Sequence, residues 1–152
     1  MIEAATIRPA VAGDVAAMRR IAGRAYMVYV PRIGRKPAPM IADFAGHVAR
    51  NEAFVLESGF GVNGYIVLFE KDGAQFVENV AVDPARHGHG IGRRLMAFAE
   101  LEAEKHGLSL IRLYTNARMT ENAGFYLGLG YEITGRVRES GFDRVYFEKK
   151  LG

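Results

Sequence analysis

The chain has 152 residues, 49% hydrophobic and 24% charged, which fits one globular domain spanning residues 1–152 and able to bury roughly two thirds of its unfolded surface. With no cysteine, disulfides, thiolate metal sites and a thioester intermediate on the protein itself are excluded. The net charge of +3 comes from 20 Lys and Arg scattered among 17 acids, and neither a secretory leader nor a run of 18 apolar residues is present. No nucleic-acid or membrane partner is therefore expected, and the expected location is the cytoplasm.

In chain order, residues 5–8 read as a first strand stopped by Pro9. Gly13-Asp14 offers an N-cap, and Val15, Met18, Ile21, Ala22, Ala25 and Val28 then recur at helical spacing until Pro31 ends the helix. Gly34, Pro37 and Pro39 hold the next stretch open as a loop, and residues 40–51 form a second, weaker helix. Residues 53–57 and 63–70, rich in Val, Leu, Ile, Phe and Tyr, make a hairpin around the glycines at 59 and 61. The strand 75–82 is apolar except at Glu78 and Asn79, as expected when both faces are covered, and Asp83-Pro84 stops it.

Ile91, Leu95, Phe98 and Ala99 line one face of a helix that ends near His106-Gly107. Because this helix joins the strand 75–82 to the strand 108–115, the two should be parallel with a right-handed crossover. Residues 122–129 form a short helix stopped by Gly130, and residues 131–137 and 144–151 a closing pair of strands. The order βααβββαβαββ predicts an α/β (α+β) fold. Its mixed, mostly antiparallel sheet has about seven strands, parallel at strands 4 and 5, with about four helices around it. The edge strand of the closing pair would leave backbone groups unpaired, which a second copy of the chain in a homodimer would cover.

The chemistry concentrates around three alternate glycines, Gly88, Gly90 and Gly92, between the fourth strand and its helix. Glycines admit positive φ and carry no Cβ, so consecutive N–H groups can turn toward one anion at a helix start. Arg93 and Arg94 in the first helical turn oppose the helix dipole unless a phosphate lies there. A dinucleotide fingerprint fails, since Arg93 or Leu95 stands where its third glycine is required, and no Gly-Lys-Ser/Thr follows for a P-loop. The pair His87-x-His89 lacks an evident third ligand, so no metal is expected.

The element order, together with Val82-Asp-Pro and His87-Gly-His-Gly-Ile-Gly92, resembles the GNAT superfamily of acetyl-CoA-dependent N-acetyltransferases over almost the whole chain. His87 stands where that signature has Gln or Arg. The resemblance implies acetyl-CoA as co-substrate, held by His87, Gly88, His89, Gly90, Ile91, Gly92 and Arg93. It also implies a backbone donor for the acetyl carbonyl near Val80, Ala81 and Val82, where strands 4 and 5 splay apart. Phe125-Tyr126 followed by Gly130-Tyr131 is similar to the family's last helix, whose Tyr protonates the departing thiolate, making Tyr126 the candidate acid. Met119 replaces an Asn often found seven residues before this Tyr, which leaves Asn116 and Asn122 as candidates for polar contact with the co-substrate.

Glu78 interrupts an apolar strand, and a carboxylate there is costly unless hydrated, paired or useful. It is read either as a general base that deprotonates an incoming amine, or as a strand-end carboxylate reaching solvent or an Arg. The expected function is direct acetyl transfer to a primary amine of a small molecule or peptide; the alternative is a non-catalytic acyl-CoA-binding sensor. Acceptor choice should lie with residues 29–40 and 136–144. Arg32, Arg35 and Lys36 in the first loop favour an acceptor carrying a carboxylate or phosphate beside its amine.

Overall fold

Seven segments rich in Val, Ile, Phe and Tyr pair into one sheet in the computed structural model, which describes residues 5–59 and 61–152. The strands are β1 (Ala5–Pro9), β2 (Ala53–Ser58), β3 (Gly61–Lys71), β4 (Ala74–Val82), β5 (Leu110–Asn116), β6 (Glu132–Glu139) and β7 (Phe142–Lys150). They lie in the order β1-β2-β3-β4-β5-β7-β6, and β4–β5 is the parallel neighbour pair in an otherwise antiparallel sheet. The helices are α1 (Val15–Tyr26), the single turn α2 (Val30–Ile33), α3 (Phe44–Ala49), α4 (Ile91–Lys105) and α5 (Thr120–Gly128). No helix among the described residues is long and apolar enough to cross a membrane.

The sheet separates two cores. On one side Met18 and Ile21 of α1 and Phe44 of α3 bury against Val55, Tyr65 and Val67. On the other, Leu95 and Met96 of α4 and Tyr126 of α5 bury against Ile66, Ile111 and Phe147. Burying each large apolar side chain contributes about 1.5–3 kcal/mol, so both faces anchor the central strands. Gly64 sets how closely α4 approaches: a Cβ there would lie 2.9 Å from Ile91 Cγ2 and 3.1 Å from Leu95 Cδ1. The helix start that carries the glycine cradle therefore rests on a missing side chain in β3.

Three local expectations are corrected. Pro31 does not end the helical path; a 3-10 turn at Met27–Tyr29 intervenes and Pro31 sits in the first turn of α2, where its missing N–H is harmless. The path ends at Gly34, whose φ of 89° no other residue adopts as readily. The helix expected over 40–51 is divided into a 3-10 turn at Ala38–Ile41 and α3, because Asp43 caps α3 by accepting the Gly46 N–H at 3.1 Å. The closing strands are longer than expected, since Ser140 (φ 51°) and Gly141 (φ 78°) form a two-residue turn between them.

Gly64→Ala should lower stability by about 1–3 kcal/mol, as overpacking does in a filled core. A denaturation midpoint equal to that of the parent protein would show that α4 does not need this close approach.

Candidate active site

Parallel pairing of β4 with β5 covers only Gln75↔Ile111, Phe76↔Arg112 and Val77↔Leu113. Immediately afterwards the β3–β4 register jumps, Leu68 facing Val77 and Val67 facing Asn79, so Glu78 is the extra residue of a β-bulge. A bulge bends its strand and sharpens its twist, which turns β4 away from β5 at the point where pairing ends. The gap opens into a cleft of about 710 Å³.

The register also dictates what β4 offers to the gap. The Asp83 N–H bonds the Asn63 carbonyl, so the facing pairs 63/83, 65/81 and 67/79 exchange the ladder bonds with β3. Val80 and Val82 lie at the alternate positions, and their N–H and C=O groups point toward the gap. The Tyr26 hydroxyl donates to the Val80 carbonyl at 2.8 Å, leaving the Val80 N–H facing the cleft. Ala81 is different: its backbone serves the β3 ladder, so of the expected trio only Val80 and Val82 present backbone donors there.

Val77 packs on the α4 side of the sheet, and the next residue in the pleat, Glu78, turns to the α1 side. The bulge sends Asn79 to that side too, where its buried Oδ1 accepts the hydroxyls of Tyr65 (3.0 Å) and Tyr26 (3.3 Å). Its Nδ2 donates to the Pro39 carbonyl at 3.0 Å, tying the loop after α2 to the cleft wall. Glu78 is half-buried, lines the cleft and makes no hydrogen bond to a described residue. Desolvation raises its pKa above the ordinary carboxylate value, against the opposing charges of His47, Lys71 and Arg144.

Tyr126 lies across the gap, packed in the α4-side core with its ring 5.1 Å from Phe125 and 5.5 Å from Phe147 between centroids. Burial raises its pKa well above that of a free phenol, so it holds its proton at neutral pH. The hydroxyl has no protein partner among the described residues, and the residue lines the cleft.

At the far end, Gly88 and Gly90 take φ of 86° and 72°, the left-handed values that the sequence pattern anticipated. Asp83 sets the turn before them by accepting the Ala85 N–H at 3.0 Å, and Arg24 of α1 pairs with Asp83 at 3.1 Å. A Cβ on Gly92 would come 3.3 Å from Phe125 Cζ, so the floor of the cradle is closed from below by α5. His87, Gly88, Gly90, Ile91, Gly92 and Arg93 all line the cleft; His89 does not. The Ile91 side chain is buried in the core, which leaves its backbone for a ligand. Arg94 points away and bonds the Ala5 carbonyl at 3.1 Å. Asn116 and Asn122 line the cleft as expected, but the Asn116 Oδ1 already accepts the Arg118 N–H at 2.9 Å and the Asn122 amide lies 3.6 Å from Met119 Sδ. Among the described residues no three of His, Asp and Glu gather into a metal site.

The helix start with its left-handed glycines opens onto the gap between β4 and β5, and residues 49–133, which contain both, match an acetyltransferase (GNAT) domain. The chain belongs to the GNAT acetyltransferase family. GNAT enzymes use acetyl-CoA as acetyl donor, and this member is an acyltransferase of that kind. The PaiA N-acetyltransferase of Thermoplasma acidophilum, solved with coenzyme A, superposes with a TM-score of 0.80 at 18% identity, covering 97% of this chain and 99% of that one. The ribosomal-protein-S18-alanine N-acetyltransferase of Escherichia coli gives 0.77 at 20% identity over 97% and 94%. YncA of Salmonella typhimurium, solved with acetyl-CoA, gives 0.71 at 22% identity over 98% and 95%. At these identities the likeness establishes the GNAT fold. No curated protein sequence matches the chain.

The acceptor end of this GNAT cleft differs from the expectation of a freely basic loop. Arg32 pairs with Glu121 of α5 at 2.7 Å, and Arg35 donates to the Ser140 carbonyl at 2.8 Å while lying 3.8 Å from the Phe142 ring centre. Gly141 makes room for that guanidinium, since a Cβ there would meet Arg35 Nη2 at 2.4 Å. The loop is thus a strap fastened to α5 and the β6–β7 turn, with two of its three cations engaged. Tyr26, Asn79, Tyr114 and Arg144 also line the cleft and were not singled out from the sequence. Asn79 alone carried a signal, as the second polar residue in the apolar run of β4.

The desolvated carboxylate has a measurable consequence. Because Glu78 has a raised pKa in the folded protein, its contribution to stability is present at low pH and lost as pH rises through that folded value. Glu78→Gln should therefore raise the thermal midpoint at pH 7, with the gain shrinking as both proteins are taken to acid pH. A midpoint that falls at pH 7 would mean that Glu78 is held by partners it would then have to have.

Proposed function

We propose that the protein transfers an acetyl group directly from acetyl-CoA to a primary amine of a small molecule or peptide, as a single domain working in the cytoplasm. The observation that carries this reading is the gap between β4 and β5, with the carboxylate of Glu78, which has no hydrogen-bond partner among the described residues, on one side and the protonated phenol of Tyr126 on the other.

The residues present fit acetyl-CoA. The glycine cradle at 88–92 leaves backbone N–H groups at a helix start open to a pyrophosphate, and Arg93 adds a cation at the cleft wall. Val80 and Val82 offer an unpaired strand edge to an extended pantetheine arm, as one strand receives another. When bound, acetyl-CoA supplies an activated carbonyl. The Val80 N–H is then the donor for the carbonyl oxygen as it gains charge. Glu78 takes the proton that an ammonium must lose before it can attack, directly or through water; Tyr126 gives a proton to the sulfur that leaves, and the second proton shed by the nitrogen as the amide forms restores the phenol through water. No cysteine stands in the chain to carry the acetyl group, so transfer from donor to amine in one step follows. His87, exposed at the rim, is placed to meet phosphate only by its charge or by a hydrogen bond from its ring. A sensor that bound acyl-CoA without turnover would have no use for a desolvated Glu78 facing the cleft.

Tyr126→Phe should lower kcat about 100-fold or more while leaving CoA affinity within a few-fold, measured by thiol release and by titration calorimetry. An unaltered kcat removes Tyr126 from the proton transfer. In the parent enzyme kcat/KM should decline toward acid with a midpoint above the ordinary Glu value of about 4.3, because burial disfavours the ionised base. Glu78→Gln should abolish that limb; if the limb persists, another group titrates there.

A further inference from the structure

This inference rests on the acetyltransferase reading and concerns what the acceptor must carry. Beyond Glu78 the cleft is walled by Tyr29, Tyr114 and Phe142, with Arg144 the cation among them whose donors remain open. Arg144 stands on β7 directly opposite Asn116 of β5. Its guanidinium lies 4.2 Å from the Tyr114 ring centre and 5.6 Å from that of Phe142, and its side chain is only 12% exposed. Two aromatic faces hold it in place, as cations over rings do.

A guanidinium has five N–H donors in a rigid fork. One Nη1 of Arg144 reaches Glu139 at 3.2 Å, and Glu139 in turn accepts the Tyr146 hydroxyl. No other hydrogen bond of Arg144 is made among the described residues, and none of its nitrogens is sealed from solvent without a partner. The remaining donors are therefore open to a partner, and Arg144 lines the cleft. Tyr114 follows Leu113 on β5 as Glu78 follows Val77, the partner of Leu113, on β4, and the Arg144 guanidinium lies over the Tyr114 ring, so carboxylate and guanidinium both border this stretch of the cleft. A carboxylate and a guanidinium so arranged match the amine and the carboxylate of one small molecule.

We infer that Arg144 is the anchor for a carboxylate on the acceptor, and that the acceptor is an amino acid presenting its amine to Glu78. The strap cations do not supply this anchor: Arg32 and Arg35 are held by Glu121 and by the Ser140 carbonyl and do not line the cleft, whereas Arg144, though paired with Glu139 through one nitrogen, does. The walls near Arg144 carry the rings of Tyr29, Tyr114 and Phe142, and the carboxylate of Glu121 beside Tyr29 is paired with Arg32, so the side chain of the amino acid meets mainly aromatic surface.

The test compares the twenty L-amino acids with their primary amides as acceptors, alongside phenethylamine and spermidine, using thiol release from acetyl-CoA. For the best amino acid, kcat/KM should exceed that of its amide by about 10–100-fold, the size of a lost charge-assisted pair, and mainly through KM. Arg144→Met should bring that ratio near one, and Arg144→Lys should recover part of it, with far-UV circular dichroism confirming that both variants fold. Turnover of amides or simple amines equal to or above that of amino acids overturns the anchor and leaves the acetyltransferase reading intact. Absence of turnover with every amine would count against the reading instead. In that event the thermal shift given by the amino acids over their amides, in the parent and in Arg144→Met, decides the anchor by binding alone: a shift lost in the variant supports it, and no shift in the parent overturns it.

Discussion

The active cleft exists because β4 and β5 pair for three residues and then part. Everything else is arranged around that separation. Two packed cores hold the strands on either face, so the separation is not relieved by collapse, and the bulge at Glu78 lies where it begins. A central strand normally exchanges hydrogen bonds on both edges. Here β4 beyond Asn79 uses only its β3 edge, and the outward groups of Val80 and Val82 must find other partners. Tyr26 supplies one of them from α1, and a ligand lying along the strand would supply more.

The same bulge distributes the chemistry. One extra residue puts Glu78 and Asn79 on the α1 side together, and the two behave differently because their surroundings differ. Asn79 accepts the Tyr65 hydroxyl and donates to the Pro39 carbonyl, so it works as a fastening for the loop after α2. Glu78 makes no hydrogen bond to a described residue and is destabilised as an anion, in keeping with the general-base role proposed for it. Tyr126, on the opposite face, is raised by the same physical effect, and its phenol stays protonated at neutral pH, in keeping with the acid role proposed for it. Burial raises both pKa values, so the two groups differ across the gap through the intrinsic difference between a carboxyl and a phenol.

Much of this was legible in the sequence. The strand and helix order, the parallel β4–β5 pair, the left-handed glycines at 88 and 90, and the cleft positions of Glu78 and Tyr126 all follow from periodicity, glycine spacing and family resemblance. The bulge did not, because two adjacent polar residues in an apolar strand look the same whether or not the register slips between them. Nor did the distinction between Val80 and Ala81, which depends on which edge each backbone group leaves. Arg32 and Arg35 read as free cations along the chain, but their partners Glu121 and Ser140 lie 89 and 105 residues away. Pro31 misled because a proline that ends one helix and a proline that opens the next turn are locally alike. The Ser140-Gly141 turn was the one missed feature with a plain local signal, two residues suited to positive φ between β-rich segments.

The most direct measurement of the account is amide hydrogen exchange, resolved residue by residue by NMR, with and without coenzyme A. The outward N–H groups of Val80 and Val82 should become protected on binding, together with those of the cradle from Gly88 to Arg93. The Ala81 N–H, already committed to β3, should change little. Protection of the cradle with no change at Val80 and Val82 would contradict the claim that the open edge of β4 receives the acetyl donor.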